Sequence, residues 1–280
     1  MGHLNSDDSA TYQREGILFP IPVLTVDEAA EFAIHLNVLE DRLGGRPKTA
    51  ELHQLFHHFR WAYELVTHSQ VLDAVESVLG PNLLVWGMSV FTKHPHDPGF
   101  ISWHQDGTYW GLDSGQITTA WIALTPSTTA NGCMRVVPGS QTLSVQRHVD
   151  TYAENNLLSR GQEIAVQVDE QQAVDVVLQP GEMSLHHVNI VHGSRANESD
   201  QKRVGIAIRY ITPEVQQDGH EQRVLLARGI DKFHHFPHLE APTATEDLDA
   251  AVDQHLRATR AHITALRQTK GAYESPRIRH

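Results

Sequence analysis

The first third of the chain carries hydrophobic residues at helical spacing. Apolar side chains recur every three or four positions behind Thr25, and a pair of glycines after residue 43 ends the pattern. Thr25 and Glu28 have the spacing of a capping box, in which each side chain bonds the other residue's backbone N–H. Looser helical periodicity continues from residue 50 to residue 79. The pattern therefore predicts helices between residues 25 and 80.

Short runs of apolar residues, several of them alternating with polar ones, replace this periodicity from residue 83 onward. They are rich in valine and isoleucine, and turn-forming pairs such as Asn131-Gly132 and Pro180-Gly181 separate them. Many short strands with regular turns indicate a double-sheet jelly roll. We expect a mainly β fold with flanking helices and a core of residues 83–212. The predicted strands cover residues 84–92, 117–124, 134–137, 163–168, 173–178 and 204–211.

A last helix is predicted over residues 245–270. Thr245 is placed to cap it, acidic residues occupy its first turn, basic residues its last, and Gly271 ends it. No internal repeat and no low-complexity linker divides the chain. We therefore expect residues 1–280 to form a single domain.

Composition narrows the functions that such a fold could serve. The chain has 280 residues, and a net charge of −12 disfavours nucleic acid and anionic membranes as partners, since both attract basic surfaces. No apolar run approaches the roughly 20 residues of a membrane span. Cys133 is the only cysteine, so no intrachain disulfide is expected. The lone cysteine and the lack of a signal-peptide pattern lead us to expect a cytoplasmic protein.

Histidine is frequent, with 20 residues, and some of them lie in patterns that suit a metal ion. His104 and Asp106 end a short apolar run, and residues two apart in a strand point to the same face. His192, before a Gly-Ser turn, would complete the two-histidine, one-carboxylate set that suits non-haem Fe(II). Arg203 follows eleven residues later and could clamp a carboxylate. From the residues alone, a surface ion pair of His104 with Asp106 and a solvated Arg203 stay open as alternatives.

The remaining histidines are predicted to have structural or surface positions. His186 and His187 point to opposite faces of an extended strand, so at most one of them faces a given site. Three histidines on the predicted helices are expected to be half-buried: His53, His57 and His58. Surface positions are predicted for a proline loop and for the stretch after the last core strand, which contain His94, His96, His234, His235 and His238.

Four motifs give the sequence a family resemblance that extends from residue 12 to about residue 210. They are His104-Gln105-Asp106, Ala120-Trp121, residues 131–140, and His192-Gly193-Ser194 followed by Arg203. The sequence resembles the phytanoyl-CoA dioxygenase family of Fe(II)- and 2-oxoglutarate-dependent oxygenases. It repeats in order that family's pattern of His-x-Asp, His-Gly-Ser and a later arginine. The resemblance implies a cupin-like double-stranded β-helix as the form of the jelly roll.

The resemblance also implies roles for individual residues. Fe(II) would be held by His104, Asp106 and His192. The 2-oxoglutarate cosubstrate would contact four others, Arg203, Ser194, Trp121 and Ser89. The implied activity is hydroxylation of an unactivated C–H bond with O2, with release of succinate and CO2. Family members that halogenate carry a small residue where this chain has Asp106, so hydroxylation is expected here.

The identity of the substrate is less constrained. The compact length and the stretch from Trp103 to Trp110 resemble short bacterial hydroxylases of small polar substrates, and 2-aminoethylphosphonate is the type of substrate that we expect. Tyr109 and Trp110 are candidate walls of its pocket. The candidate cations for an anionic group are Lys93, Arg195 and Arg209. Two segments are long enough to close over a pocket, residues 141–159 and 213–238.

Three other functions stay open. A natural-product hydroxylase of the same family would share the iron site. A non-redox cupin-like isomerase or hydrolase would use the same residues with zinc or nickel, but it does not need Arg203. A binding module that has lost its chemistry would have no reason to keep all four residues.

Overall fold

Two antiparallel sheets face each other across the interior of the protein. The computed structural model describes residues 4–108, 110–113, 116–143, 145–146, 148–151, 153–158, 162–165, 168–217, 222–242 and 247–268, with only the backbone of residues 162 and 262–268. Numbered along the chain, the strands in these ranges are β1 Ile17–Pro22, β2 Leu83–Lys93, β3 Ile101–His104, β4 Ile117–Ala123, β5 Met134–Val137, β6 His148–Asp150, β7 Gln162–Ile164, β8 Val174–Val176, β9 Glu182–His187, β10 Val191–Ser194, β11 Arg203–Ile211 and β12 Leu225–Arg228.

The larger sheet has the strand order β1-β9-β4-β11-β2-β12, and the smaller one has the order β3-β10-β5-β8. The strands β6 and β7 pair separately. Residues of β11 alternate between the two faces of the larger sheet, as the pleat of a strand requires. Val204 and Ile206 pack against helices on the outer face, whereas Ala207 contributes to a cluster with Val136 of the smaller sheet. The inner faces of the two sheets thus enclose the interior.

The helices cover the outer face of the larger sheet. In the described ranges they are α1 Ser6–Glu15, α2 Val26–Arg42, α3 Arg60–Val66, α4 Ser69–Leu79 and α5 Leu248–Gln268. Their buried residues, such as Leu36 and Val71, share one hydrophobic cluster with the outward side chains of that sheet. None of these helices is both long and apolar enough to cross a membrane.

The predicted mainly β fold with flanking helices is confirmed, and five of the six predicted strands reappear with their ends moved by no more than two residues. The predicted capping box is also present at the start of α2. Thr25 Oγ1 accepts the N–H of Glu28 at 3.2 Å, and the Glu28 carboxylate accepts the N–H of Thr25 at 2.7 Å. These features depend on neighbouring residues, which is why the sequence pattern predicts them.

Some elements differ from the prediction. The loose helical pattern of residues 50–79 is broken into four short elements: two 3-10 turns, Thr49–Leu52 and Leu55–His57, and the helices α3 and α4. Gln54 lies between the two turns with a φ of 55°, which an α-helix does not accommodate. The sequence does not predict α1, because Tyr12 is its one buried residue and it has no apolar stripe.

Two predicted elements begin or end elsewhere. The strand predicted over residues 163–168 is observed as Gln162–Ile164, and Val166 lies outside the described residues. The last helix begins at Leu248, and its predicted cap, Thr245, also lies outside the described residues.

Candidate metal centre and its surroundings

His104 and His192 lie directly opposite each other on neighbouring strands. His104 ends β3, His192 lies in β10, and the antiparallel register pairs the two residues. Their ring centroids are 4.1 Å apart, and both residues are buried. Gly193 permits this close pairing, since a Cβ there would lie 2.8 Å from the backbone oxygen of Ile101 on β3. The sequence predicts a turn at Gly193-Ser194, but both residues are paired within β10, and Gly193 has a packing role beside the site.

Both imidazole rings are oriented in the same way by backbone carbonyl groups. Nδ1 of His104 lies 2.9 Å from the oxygen of Ser102, and Nδ1 of His192 lies 3.1 Å from the oxygen of Ile190. A carbonyl oxygen can only accept, so each Nδ1 carries a proton and each Nε2 is the ring atom left for a metal ion. Burial holds the pKa of His192 well below its usual range, so this ring is neutral. Neutral imidazoles with a free Nε2 are what a metal ion requires.

Asp106 completes the cluster from the turn that follows β3. Its carboxylate oxygen lies 3.3 Å from Nε2 of His104, and its side chain is 14% exposed. Burial alone would raise the pKa of Asp106, but the contact with His104 and the nearby His192 outweigh it and hold this pKa well below its usual range. The Asp106 carboxylate and the Nε2 of His104 face each other, so they share either a proton or a metal ion. Donor atoms of His104, Asp106 and His192 lie within 4.8 Å of one another, so these residues could hold a metal ion.

Gln105, between the two residues of the His-x-Asp pair, fixes the turn that carries them. It is fully buried, and its side-chain amide donates to the oxygen of Asn189 at 2.8 Å. Its side-chain oxygen accepts the N–H of Gln146 at 2.8 Å, and its own N–H donates to Nε2 of His148 at 3.0 Å. Sequence reasoning misses the roles of Gln105 and His148. The position of Gln105 between two candidate ligands is the one signal that could have pointed to it.

One end of the interior contains two buried basic side chains, Arg203 and Lys93. Arg203 and Lys93 are cross-strand partners on β11 and β2, and both are buried. Lys93 Nζ donates to Ser194 Oγ at 2.7 Å and to backbone oxygens, and Arg203 donates to the oxygen of Gly132 at 2.6 Å. Within the described structure neither cation forms an ion pair, and Nε of Arg203 has no hydrogen-bond partner. Burial first, and then the charge of Arg203, lowers the pKa of Lys93 to about 6.

This end is built to receive an anion. The buried guanidinium of Arg203 has a neutral hydrogen-bond partner, and a negative charge here would both pair with it and favour the protonated form of Lys93. Trp121 lies 5.4 Å from the guanidinium carbon of Arg203 and forms an apolar wall there. Ser194 is two residues beyond His192 on β10, so this end adjoins the histidine and carboxylate cluster. The sequence prediction grouped Lys93 with the substrate cations, whereas the structure puts it with Arg203 and Ser194.

Arg209 lies at the other end of the interior, three inward-facing positions along β11 from Arg203. It is partly buried, donates to Ser89 Oγ, and its guanidinium carbon lies 5.5 Å from the centre of the Trp110 ring. The Trp110 ring in turn lies 5.0 Å from that of Trp86, a residue that the sequence prediction did not select. The structure thus puts Ser89, Trp110 and Arg209 together, and it separates them from Lys93.

Arg195 lies outside this interior, contrary to its selection as a substrate cation. Its side chain is 70% exposed and pairs with the surface carboxylate of Glu170 at 3.1 Å. The residue follows the end of β10, where the chain leaves the sheet, so its side chain extends into solvent. Tyr109, the other predicted pocket wall, lies outside the described residues.

As the sequence suggests, His186 and His187 differ in burial. The structure adds that His186 lies next to the metal centre. His186 is buried with its ring centroid 5.0 Å from that of His192, while His187 is half-buried and accepts the N–H of Asn189. His96 contacts the exposed carboxylate of Asp200, whereas the partly exposed His238 contacts the carboxylate of Asp231, whose side chain is 1% exposed. Among the described residues no second cluster of metal-binding side chains is found.

Comparison with known proteins agrees with the fold and the residue pattern. The family model for phytanoyl-CoA dioxygenase (PhyH) matches residues 37–205, more than half of the chain. The chain belongs to this family. It is 28% identical over 149 residues to the "Probable alpha-ketoglutarate-dependent hypophosphite dioxygenase" of Stutzerimonas stutzeri, which covers 52% of this chain and 51% of the relative. The chain spans about half the length of the curated relatives it matches.

Two solved structures extend this likeness to three dimensions. A structure described as "non-heme monooxygenase; ThoJ apo" is 33% identical, with a TM-score of 0.81 over 95% of this chain and 99% of that chain. "CytC3 with Fe(II) and alpha-ketoglutarate" shares the fold at a TM-score of 0.63 and 22% identity, over 84% of this chain and 92% of that chain. The shared fold confirms the predicted jelly-roll core.

Proposed function

We propose that the protein is an Fe(II)- and 2-oxoglutarate-dependent dioxygenase that hydroxylates a C–H bond of a small molecule. One observation carries the proposal: the cluster of His104, Asp106 and His192 shares its interior with the buried Arg203–Lys93 pair. An enzyme whose metal binds 2-oxoglutarate needs both the metal-binding cluster and the basic pair, which binds the distal carboxylate of the acid. A non-redox metalloenzyme needs the cluster but not the basic pair, so the presence of both disfavours a non-redox function.

The donor set of the cluster fits Fe(II). Two imidazole Nε2 atoms and one carboxylate oxygen are the donors of the two-histidine, one-carboxylate set, which leaves coordination positions open. The carbonyl groups of Ser102 and Ile190 orient both rings through Nδ1, which leaves the Nε2 atoms to converge with the Asp106 carboxylate. With 2-oxoglutarate and O2, bound Fe(II) would supply the oxidising power that inserts one oxygen atom into a C–H bond while the oxo acid becomes succinate and CO2.

The residues at the end of the interior that contains Arg203 and Lys93 would bind the distal carboxylate of 2-oxoglutarate. Arg203 offers its unpartnered Nε and a planar fork, Lys93 offers a second cation, and Ser194 offers a hydroxyl group. Trp121 would pack against the aliphatic part of the acid and exclude water from it. Because all four residues are buried, their interactions with a carboxylate act at low dielectric.

The substrate that we propose is a small polar compound such as 2-aminoethylphosphonate. Arg209 provides a cation at the other end of the interior, beside the tryptophan pair of Trp86 and Trp110. The similarity to a relative named for hypophosphite supports a phosphorus oxyanion. Since the chain spans about half of that relative's length, the reaction of the whole protein is part of the proposal.

An anaerobic absorption titration with Fe(II) and then 2-oxoglutarate tests the proposed function. Wild-type protein is expected to develop a weak visible charge-transfer band only after both additions. His192→Ala should lose the band together with metal binding, and Arg203→Met should bind the metal but need at least about tenfold more 2-oxoglutarate. Arg195→Gln is the matched control and should behave like wild type. A wild-type protein that binds Fe(II) tightly but gives no band would overturn the proposal in favour of a non-redox metalloenzyme.

A further inference from the structure

Three polar side chains form a row on the inner face of the larger sheet. Arg209 on β11 is the cross-strand partner of Thr119 on β4, and Thr119 is in turn the partner of His186 on β9. The ring of His186 is 5.0 Å from that of His192, so the row extends from the tryptophan pair to the metal centre. Thr119 and His186 are almost completely buried.

Each member of the row has a buried polar atom without a hydrogen-bond partner in the described structure. The three atoms are Nε of Arg209, Oγ1 of Thr119 and Nδ1 of His186. A buried polar atom without a partner is costly, and three of them on adjacent strands are uncommon. Such a set indicates that a ligand supplies the missing partners.

The charge of Arg209 indicates which kind of ligand. Burial lowers the pKa of this guanidinium, and among the described residues Asp106 is the acidic group that opposes the effect. Asp106 is also the carboxylate proposed to bind the metal, and a bound metal ion would neutralise its negative charge. Ser89, the side chain that accepts a hydrogen bond from Arg209, is neutral. Arg209 is thus left without a counter-charge once the metal is bound, and a buried cation needs one.

The row is distinct from the site proposed for the distal carboxylate of 2-oxoglutarate. Arg203 and Arg209 are both inward-facing on β11 but three inward positions apart, and they have different cross-strand partners on β2, Lys93 and Gly87. Arg203 is 2% exposed, whereas Arg209 is partly exposed, so the Arg209 end is the one that a molecule from solvent can reach. Trp110 covers the guanidinium of Arg209 and would hold the apolar part of a ligand.

We infer that Arg209, Thr119 and His186 form an oxyanion subsite that anchors a carboxylate or phosphonate group of the substrate beside the metal centre. The inference rests on the proposed oxygenase function and specifies how the substrate is recognised. Guanidinium, hydroxyl and imidazole groups on one face supply donors that match the oxygens of such a group. The anchored group fixes the position of the attached C–H bonds relative to the metal.

Binding of three matched probes to the anaerobic Fe(II)- and 2-oxoglutarate-loaded protein tests the inference by calorimetry. The probes are 2-aminoethylphosphonate, 3-aminopropanoate and 3-aminopropanamide, which share the amine and differ in a terminal group that is anionic in the first two and uncharged in the amide. Wild type should bind one or both anions and not the amide. Arg209→Met should weaken anion binding by about 30-fold or more, and the isosteric Thr119→Val by about 3- to 10-fold. Arg195→Gln, which removes an exposed arginine, should change it by less than about twofold.

Several results would overturn the subsite. These are equal binding of the amide, binding of none of the probes by wild type, or unchanged anion binding in both Arg209→Met and Thr119→Val. If Arg209→Met instead weakens 2-oxoglutarate binding in the absence of a probe, the row holds the cosubstrate carboxylate and the inference is wrong. The visible charge-transfer band of the same loaded samples tests the proposed function separately. If the band is present but the probes do not bind, the proposed function stands and the subsite is overturned. Thr119→Val keeps the test decisive if Arg209→Met does not fold.

Discussion

His104 and His192, which are far apart along the chain, are direct cross-strand partners with ring centroids 4.1 Å apart. Each ring is held by a backbone carbonyl two residues earlier in the chain. The pairing of β3 with β10 therefore sets the distance between the two rings, and local hydrogen bonds set their orientation.

Divalent metal ions should stabilise the folded protein through this pair. A metal that binds only the native state adds about 2.7 kcal/mol to the free energy of unfolding when its free concentration is 100 times its Kd. Ni(II) can serve as a redox-stable probe, with thermal unfolding followed by circular dichroism before and after chelation. His192→Ala should lose most of this stabilisation. An equal increase in the melting temperature of wild type and His192→Ala would show that the metal binds elsewhere.

The affinity for 2-oxoglutarate should fall as the pH rises above about 6. Burial lowers the pKa of Lys93 to about 6, so the amine is mostly neutral at pH 7 in the free protein. A bound carboxylate favours the protonated amine, and binding therefore takes up a proton. The affinity should drop by up to about tenfold per pH unit above 6, for as long as bound Lys93 stays protonated.

Calorimetry in two buffers of different ionisation enthalpy measures this proton uptake directly. Lys93→Met should bind 2-oxoglutarate more weakly and with little dependence on pH, because the group that titrates is gone. If Lys93→Met keeps the pH dependence of wild type, another group is responsible.

Gly205→Ala should destabilise the protein by about 1–3 kcal/mol. A Cβ at this position would lie 1.9 Å from a ring carbon of the buried Trp121, which cannot move away without disturbing the interior. Gly87→Ala is the matched control on the neighbouring strand, where the nearest atoms are 3.7 Å away, and it should cost much less. Urea unfolding of the three proteins checks this expectation, and equal stabilities of the two variants would contradict it.

The protein should become less stable as the pH falls from about 6.5 towards 4. Burial first, and then the neighbouring His255, lowers the pKa of His58 from 6.5 to about 4. The unfolded chain therefore binds more protons in this interval, and stability is lost as the pH falls. In urea unfolding, His58→Gln should lose about 1 kcal/mol less than wild type between pH 7 and pH 5. Identical losses would mean that the pKa of His58 is not lowered in the fold.

Local features of the fold and of the site are the ones that the sequence predicts. The capping box of Thr25 and Glu28 and the alternation along β11 depend on residues within a few positions of each other. His104 and Asp106 do converge, but from the end of β3 and the 3-10 turn after it rather than from one face of a strand. Backbone geometry fixes such relationships once a helix or strand forms. The family pattern adds His192 and Arg203, since it links motifs that local geometry cannot connect.

The positions of the cations show where sequence reasoning ends. The sequence does not distinguish the three candidate cations from one another. The structure places Lys93 with Arg203, Arg195 on the surface and Arg209 beside the tryptophan pair. The pairing of β2 with β11 also shifts its register between Arg209 and Tyr210, which leaves Trp86 without a partner on β11. No local pattern signals such a register change.

The sequence by itself determined the class of fold, the candidate metal ligands and the arginine of the cosubstrate site. Only the tertiary structure decided that Lys93 joins Arg203, that Arg195 is excluded, and that Arg209, Thr119 and His186 form one row. The physical reason is that strand order and register bring distant residues together, and both depend on packing of the whole chain. Local propensities specify the strands, but only the paired sheets specify which side chains meet.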